Sequence, residues 1–472
     1  MLLSSQGALD ADEAVWGLMA RHVLHGEVPT FFWGQAYGGT QETLVTAALF
    51  WVFGPSTAAL QTVPILFWAA ACLMLWRIGR RTLGEPRARL AAALFWMWPV
   101  YFVWKSTRAH GFYGAGLCFG LWSMLAALRL RERPTRADLV SLGLALGLGL
   151  WATPQVAILG LPAVAWLVWQ RPRLVRRAPL ALAGFALGSL PWWLWNARHG
   201  WGSLHAAPDS TTPLDHLHNL VVANLPAALG LRVPWTLHWL PGTALGAVGY
   251  GAFGIGFLTL LVRRPPGLGL PLLAATCFPV LYVASPYSWL NDEPRYLTLA
   301  APVLVLLVAA AASGRRAIAV FAAAAALSFG GLALMEHENA AAVHEDGATL
   351  PADFGPVVAT LERHGVDRVW ASYWIGYRIV FESGERVIAA QPGSSTLALR
   401  AGRVIPVGGE AAQPGTNGRY RPYQLAVASA SHPAWVFASA GETAARVRPV
   451  FRRAGYALVR SGGFDVWLPP SG

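Results

Sequence analysis

Three carboxylates stand close together near the amino terminus, in the stretch "GALDADEAVWGLMARHVLHGE". Asp10 fits the N-cap of the amphipathic helix that follows, and Glu13 fits its capping-box partner three residues later. These two roles leave Asp12 without a structural task. A positioned carboxylate can act as a general base that takes the proton of a reacting hydroxyl. Asp12 is therefore the first candidate catalytic residue.

A second set of charged side chains lies in three later segments. Arginine can bind two oxygens of a phosphate at once, and lysine binds phosphate as a point charge. The functional interpretation of the lysine and arginine side chains is a phosphate clamp at a membrane surface. The alternative is that these side chains only extend to lipid headgroups. The residues are Glu42, then Lys105, Arg108 and His110 in "WKSTRAHG", and Asp292, Glu293 and Arg295 in "SPYSWLNDEPR".

The composition is typical of a membrane protein. Hydrophobic residues make up 55% of the chain and charged residues only 13%, and the mean hydropathy is +0.43. The net charge of +12 comes from short loops between apolar stretches, which hold 17 arginines and three acids. In membrane proteins such loops face the cytoplasm. The positive charge therefore indicates the orientation of the helices and excludes nucleic acid as the partner. The three cysteines lie far apart in apolar runs and suggest neither a metal site nor a disulfide framework.

The apolar pattern predicts about ten spans, which place both ends of the spanning region on the outer face. The segment 40–54 is too short to cross about 30 Å of hydrocarbon and is predicted to be an interfacial or re-entrant helix on that face. The predicted spans are 56–76, 88–104, 110–128, 138–152, 154–170, 178–196, 245–262, 270–285, 296–312 and 316–335.

Three regions follow from these patterns. Residues 1–55 form an extracytoplasmic first-loop segment with juxtamembrane helices, and residues 56–335 form a multi-span transmembrane domain. Residues 350–472 alternate helix-like and strand-like patterns, which predicts a small extracytoplasmic α/β domain. The fold class is thus a polytopic α-helical membrane protein with a C-terminal α/β domain. We expect it in the cell (cytoplasmic) membrane, with its active site and C-terminal domain outside.

The order of several short motifs resembles the polytopic glycosyltransferases of the GT-C superfamily, in particular glycosyltransferase family 39, which includes protein O-mannosyltransferases, and the aminoarabinose transferases. The resemblance covers most of residues 7–315, and the tail resembles that of one bacterial branch. The motifs are "DADEAVWGLMARHVLHGEVPTFFWGQAYGGTQE", "RAHGFYG", "GLWATPQ", "PWWLWNARHGW" and "PRYLTLAAPVL".

The resemblance implies an enzyme that moves a sugar, a hexose or a pentose, from a polyprenyl-phosphate donor to a lipid, glycan or protein acceptor. It implies that Asp12 is the base, with Glu13 and Glu42 as further catalytic acids. A single displacement of the phosphate would invert the anomeric centre. Lys105, Arg108, His110, Arg295 and Tyr296 are the candidate residues for the donor phosphate. Gln35, Tyr37, Gln155 and Asp292 are the candidate substrate-binding residues.

The sequence departs from the family in two places. Family members carry a span before the Asp-Glu pair, whereas only nine residues precede Asp10 here, so either the start is assigned too late or this helix is missing. Better-known branches have a Pro-Pro pair where this chain has "GGTQE", so acceptor contacts there are not carried over.

Other motifs receive structural interpretations. Glycine pairs at GxxxG spacing, Gly143/Gly147 and Gly184/Gly188, predict close helix packing. His22 and His25 are expected to face water or headgroups. No cofactor is required, but some relatives bind a divalent cation, and the weak metal candidates are His205, Asp209, His216 and His218.

Two other functions remain open. A transporter or flippase of lipid-linked sugars would place charged or broken helices near the bilayer midplane, whereas these spans are almost uncharged. A non-enzymatic membrane scaffold or sensor would explain the tail but not the clustered acids and bases. Replacing Asp12 separates the three, because only an enzyme would lose activity while still binding its lipid.

Overall fold

The computed structural model describes residues 8–205, 211–392, 397–400, 403–406 and 418–470. The chain divides into two compact units. The first contains the described residues within 1–36, 43–60 and 341–472, and the second contains residues 37–42 and the described residues within 61–340. Most of the first segment, predicted as 1–55, and the C-terminal tail thus belong to one unit, although some 280 residues separate them in the chain.

Helices occupy most of the chain before residue 340, because alanine, leucine and other good helix formers dominate these segments. In chain order they are α1 (Ala11–Leu24), α2 (Gln41–Phe53), α3 (Thr57–Thr82), α4 (Glu85–Met97), α5 (Val100–Lys105), α6 (Tyr113–Glu132), α7 (Arg136–Ala152), α8 (Ala157–Gln170), α9 (Ala178–Gly188), α10 (Leu190–Arg198), α11 (Pro213–Asn219), α12 (Leu225–Ala228), α13 (Thr243–Arg263), α14 (Gly269–Val283), α15 (Ala301–Ala311) and α16 (Arg315–His337).

A helix lies at each of the ten predicted spans, but the number of spans stays a prediction. Among the described residues, four helices are long and apolar enough to cross a membrane by themselves: α3, α6, α13 and α16. The predicted span 88–104 is instead broken into α4 and α5, since Pro99 keeps Trp98 in an extended conformation. The segment 178–196 is likewise divided into α9 and α10 at Ser189.

Glycines bring α7 and α9 into close contact, as the GxxxG spacing predicts. A Cβ atom at Gly143, Gly147, Gly184 or Gly188 would lie 1.8 to 2.7 Å from a carbonyl oxygen of the facing helix. No larger side chain fits at these positions, because the two backbones approach too closely. The prediction of packing glycines is confirmed.

The tail forms the predicted α/β fold. Its helices are α17 (Gly355–Arg363), α18 (Tyr373–Glu382), α19 (Arg421–Ala428) and α20 (Glu442–Arg453). Its described strands are β1 (His344–Glu345), β2 (Ala348–Thr349), β3 (Arg368–Ala371), β4 (Ile388–Ala390), β5 (Leu397–Arg400), β6 (Arg403–Pro406), β7 (Ala434–Ala438), β8 (Ala457–Ser461) and β9 (Phe464–Leu468). Helices and strands alternate along this part of the chain, as its sequence pattern predicts.

Five strands make one mixed sheet in the order β4-β3-β7-β9-β8. Strand β3 is parallel to β4 and β7, and β9 is antiparallel to β7 and β8. The core on this sheet includes Trp370, Trp435, Trp467 and Phe451. Phe451 comes from α20, whose apolar residues recur at helical spacing and so bury one face.

Helix α1 packs against α18 of the tail within the first unit. A Cβ atom at Gly17 would lie 2.3 Å from the ring of Phe381, so glycine permits this close approach. Arg21 adds a hydrogen bond from Nη1 to the carbonyl oxygen of Phe381 at 2.9 Å. The amino-terminal turn of α1, which carries the three acids, is thereby fixed relative to the tail.

Candidate active site

Asp10 and Glu13 cap α1 as predicted. Asp10 Oδ1 accepts a hydrogen bond from the Glu13 backbone N–H at 2.8 Å, and Glu13 Oε2 accepts one from the Asp10 N–H at 3.2 Å. Both side chains are buried. The capping box is confirmed, and it engages the carboxylate of Glu13, whose predicted catalytic role stays a prediction.

Asp12 takes no part in the cap and is only partly buried. The Tyr373 hydroxyl, at the start of α18, donates a short hydrogen bond to Asp12 Oδ1. Burial, followed by the negative charge of Asp12, raises the pKa of Tyr373 well above its ordinary value, so this phenol stays protonated. The structure thus corrects the expectation that Asp12 has no structural partner.

In the second unit, the two predicted outer loops come together around Glu293. This buried carboxylate pairs with Arg295 Nη2 at 2.5 Å and accepts a hydrogen bond from the Tyr101 hydroxyl at 2.9 Å. Burial alone would raise the pKa of Glu293, but Arg295, Lys105, Tyr101 and His110 outweigh it and hold the pKa below its ordinary value. Glu293 is therefore a carboxylate at neutral pH.

Lys105 is almost fully buried beside this carboxylate. Its Nζ donates to His110 Nδ1 at 2.6 Å and lies 4.5 Å from the ring centroid of Tyr113. An ammonium group can donate hydrogen bonds but cannot accept them, so this contact requires an unprotonated Nδ1 on His110. The cluster thus combines two cations from separate loops with the carboxylate of Glu293.

Glu42, in the first turn of α2, is buried against the start of α6. Its Oε1 accepts a hydrogen bond from the Ala115 N–H at 2.9 Å. Burial raises the pKa of Glu42 to about 7, against the opposing effects of the backbone N–H groups of Ala115 and Gly114 and the charge of Lys105. A carboxyl group that titrates near neutral pH can give or take a proton.

Comparisons with known proteins agree with this fold. Residues 43–195, less than half of the chain, match the family described as dolichyl-phosphate-mannose-protein mannosyltransferase. This range contains Lys105, Arg108 and His110 but not Asp12 or Arg295. No curated protein matches the sequence significantly.

The crystal structure of ArnT from Cupriavidus metallidurans in the apo state is similar, with a TM-score of 0.63, 13% identity and coverage of 96% of this chain and 92% of that chain. ArnT bound to undecaprenyl phosphate gives a TM-score of 0.62 at 12% identity, over 97% of this chain and 93% of that chain. This chain therefore has the same fold as ArnT. The predicted fold class and the resemblance to protein mannosyltransferases and ArnT are thereby confirmed, and the protein is an integral membrane protein.

The remaining candidate site residues have fewer defined contacts. Arg108 is buried, with its guanidinium carbon 5.5 Å from the ring centroid of Trp104. Tyr37 lies 5.6 Å from Tyr287 between ring centroids. Tyr296 follows Arg295 in a short 3-10 turn. These positions allow the predicted roles without testing them.

Asp292, Gln155 and Gln35 likewise keep their predicted roles as predictions. Burial, followed by the charge of Glu293, raises the pKa of Asp292, whose backbone oxygen accepts a hydrogen bond from the Trp235 N–H at 2.6 Å. Gln155 lies in the 3-10 turn Pro154–Val156 after α7, and its side-chain oxygen is buried without a hydrogen-bond partner among the described residues. Gln35 lies in the first unit with Asp12.

The described residues contain no group of three or more histidine, cysteine, aspartate or glutamate side chains that could hold a metal ion. His216 uses both ring nitrogens inside the protein, with Thr211 Oγ1 at 2.7 Å and the Val283 oxygen at 3.0 Å. His205 and His218 join no such group, and Asp209 lies outside the described residues. The weak metal candidates receive no support from the described part of the chain.

His22 corrects another expectation. Its ring is not turned to water but lies between two carboxylates, with Nδ1 2.7 Å from Glu27 Oε2 and Nε2 3.0 Å from Glu385 Oε1. Burial opposes the charged form, but the hydrogen bonds and charges of Glu385 and Glu27 raise the pKa of His22. His22 therefore joins α1 to the tail.

Sequence reasoning missed two residues, Tyr373 and Tyr101. Tyr373 lies two positions after β3, at the carboxyl end of a parallel strand, where functional groups of α/β sheets collect. That position was the available signal for Tyr373. Tyr101 gave a weaker signal, since its contact with Glu293 joins two segments that are 192 residues apart.

Proposed function

We propose that this protein is a membrane glycosyltransferase that takes a sugar from a polyprenyl-phosphate donor on the outer face of the cell membrane. The observation that carries the proposal is the likeness, over almost the whole chain, to a protein whose structure contains undecaprenyl phosphate. Residues 43–195 match a family whose description names a transferase that uses a sugar linked to a lipid phosphate. This match supports the same class of reaction. The acceptor is a hydroxyl or amine on a lipid, glycan or protein outside the cytoplasm.

In the proposed reaction the acceptor oxygen or nitrogen attacks the anomeric carbon, and the bond from that carbon to the phosphate oxygen breaks. Asp12 takes the acceptor proton, and the polyprenyl phosphate leaves with the bonding electrons. One displacement inverts the anomeric centre. Lys105, Arg108 and Arg295 stabilise the charge that develops on the leaving phosphate.

The cation cluster supports this role for the phosphate. Lys105 and Arg295 both act on the carboxylate of Glu293 in a largely buried environment, where charges interact more strongly than in water. Arg295 remains about one-third exposed, so its guanidinium is accessible to a ligand. Glu293 orients Arg295 before the donor binds.

The direct test is sugar transfer by the purified full-length protein in lipid nanodiscs. Polyprenyl phosphates carrying radiolabelled hexoses or pentoses are supplied with an extract of cell-envelope acceptors. The proposal expects labelled acceptor and an equal amount of free polyprenyl phosphate. Movement of intact lipid-linked sugar across a vesicle membrane, without cleavage of the sugar–phosphate bond, would identify a flippase instead.

A further inference from the structure

The tail meets the proposed base at one side chain. Tyr373 is the first residue of α18, and its hydroxyl donates to Asp12 Oδ1, 361 residues away in sequence. Both residues belong to the first compact unit. The tail therefore fixes one oxygen of the carboxylate.

Tyr373 is itself held rigidly by the tail. Its side chain is 3% exposed, and its ring centroid lies 5.1 Å from that of Trp374 and 5.3 Å from that of Tyr377. The position of the hydroxyl is thus determined by the packing of α18. A buried phenol ring has few alternative rotamers.

A second group of the tail orients the hydroxyl. Arg419 Nε lies 3.4 Å from the Tyr373 oxygen, which can accept from Arg419 while it donates to Asp12. The Arg419 guanidinium carbon also lies 5.1 Å from the ring centroid of Phe32. Successive hydrogen bonds of this kind polarise one another in the same direction.

Asp12 keeps its second oxygen for another partner. Among the described residues, Oδ1 receives the hydrogen bond from Tyr373, and no protein group donates to Oδ2. The side chain is partly exposed, unlike Asp10 and Glu13. A carboxylate with one oxygen fixed and the other accessible is suited to take a proton from an acceptor.

We propose that Tyr373 is a positioning residue that orients Asp12 for proton transfer, so that the tail completes the catalytic unit. The inference rests on the proposed function, in which Asp12 is the base. It assigns a task to the C-terminal α/β domain. Loss of the Tyr373 hydroxyl would leave the carboxylate free to rotate and less stabilised as an anion.

The test is Tyr373→Phe in the full-length protein, which removes one oxygen and keeps the ring. We expect kcat to fall about tenfold to hundredfold, as for loss of a hydrogen bond to a charged group, with the KM for the donor unchanged. The acidic limb of the kcat–pH profile should move to higher pH, because a hydrogen bond to a carboxylate favours its ionised form. A merely structural residue would not move that limb.

Few charged groups surround Asp12, so a shift of the acidic limb can be attributed to the Tyr373 hydroxyl. Asp10 and Glu13 lie on the same helix, and Tyr373 and Arg419 come from the tail. Arg378 of α18 also acts on Asp10 and Glu13 through its charge. The substitution Tyr373→Phe leaves all of these charges in place.

Tyr377→Phe is the matched control. Tyr377 lies on the same helix and is also buried, but its hydroxyl accepts a hydrogen bond from the Tyr420 N–H at 3.0 Å. This variant should retain the wild-type pH profile. Arg419→Gln is the second variant, which weakens the orientation of Tyr373 and should move the acidic limb in the same direction by a smaller amount.

The outcomes separate the inference from the function on which it rests. Normal turnover by Asp12→Asn would overturn the role of Asp12 as the base. If Asp12→Asn is inactive while Tyr373→Phe and Arg419→Gln keep the wild-type kcat and pH profile, the positioning role of Tyr373 is wrong and the proposed function stands. Thermal unfolding of each variant confirms that activity is compared between folded proteins.

Discussion

Asp10, Asp12 and Glu13 have different environments although they lie within four positions of one another. Asp10 and Glu13 satisfy backbone N–H groups at the start of α1, and both are buried. Asp12 is more exposed and binds the hydroxyl of Tyr373. This difference assigns capping to two of the acids and leaves the third for chemistry.

Asp12→Asn should abolish sugar transfer while the protein remains folded. The amide keeps an oxygen that accepts the Tyr373 hydrogen bond but cannot take a proton from the acceptor. Asp10→Ala should act differently, because loss of an N-cap costs about 1 kcal/mol of stability and only part of the activity. Transfer rates and unfolding temperatures of the two purified variants check this, and an active Asp12→Asn protein would remove Asp12 as the base.

Arg295→Ala should lower kcat/KM for the polyprenyl-phosphate donor by about tenfold or more, since a charge-assisted contact to phosphate is lost. Arg295→Lys should recover part of this, because lysine restores the charge without the two parallel hydrogen bonds. The exposed Arg198 offers a control, and Arg198→Ala should leave donor kinetics unchanged. Unchanged donor kinetics in Arg295→Ala would favour headgroup contact alone.

Helix α1 is joined to the tail by more than packing. His22 lies between Glu27 and Glu385, and the Tyr423 hydroxyl also donates to Glu385 at 2.6 Å. The Tyr420 hydroxyl donates to Glu27 at 2.9 Å. Since both ring nitrogens face carboxylates, this arrangement favours the imidazolium form of His22.

The stability of the protein should therefore fall as the pH rises from about 6.5 upward. The pKa of His22 is raised in the folded protein, so its contribution is fully present below the unfolded value of about 6.5 and is lost as the pH passes the folded value. His22→Gln should remove this dependence and lower the unfolding temperature by on the order of 1–3 °C at pH 6. Thermal unfolding in detergent from pH 5 to pH 9 measures it. An equal pH dependence of the unfolding temperature in the wild type and in His22→Gln would contradict the role of His22 in these ion pairs.

The protein combines a helical membrane unit with a unit built from both ends of the chain. The basic loops between apolar helices predict which ends of those helices face the cytoplasm. If α1 and the tail work together, both must lie on the same face of the membrane. The predicted topology meets this condition, with that face outside.

A cysteine introduced at the exposed Ser431 should react with a membrane-impermeant thiol reagent in intact cells. Arg133→Cys, in an exposed basic loop that is predicted to be cytoplasmic, should react only after the membrane is permeabilised. The native cysteines lie in apolar helices and are replaced by alanine in the background. The reverse labelling pattern would overturn the predicted orientation.

Some features could be predicted because they depend on residues that are neighbours in the chain. The capping box of α1, the packing glycines of α7 and α9, the apolar helices and most elements of the tail belong to this group. Each follows from hydrogen bonds or side-chain periodicity within one to three helical turns. The break at Trp98 and Pro99 was also encoded locally but was missed, because a continuous apolar run concealed it.

Other features required the tertiary structure. The hydrogen bond from Tyr373 to Asp12, the position of His22 between Glu27 and Glu385, and the contact of Tyr101 with Glu293 mostly join residues that are hundreds of positions apart. No local pattern marks such pairs, since the packing of whole helices decides which side chains meet. The amino-acid sequence alone therefore identified Asp12, Lys105 and Arg295 as reactive types, and only the folded chain decided which partners hold them.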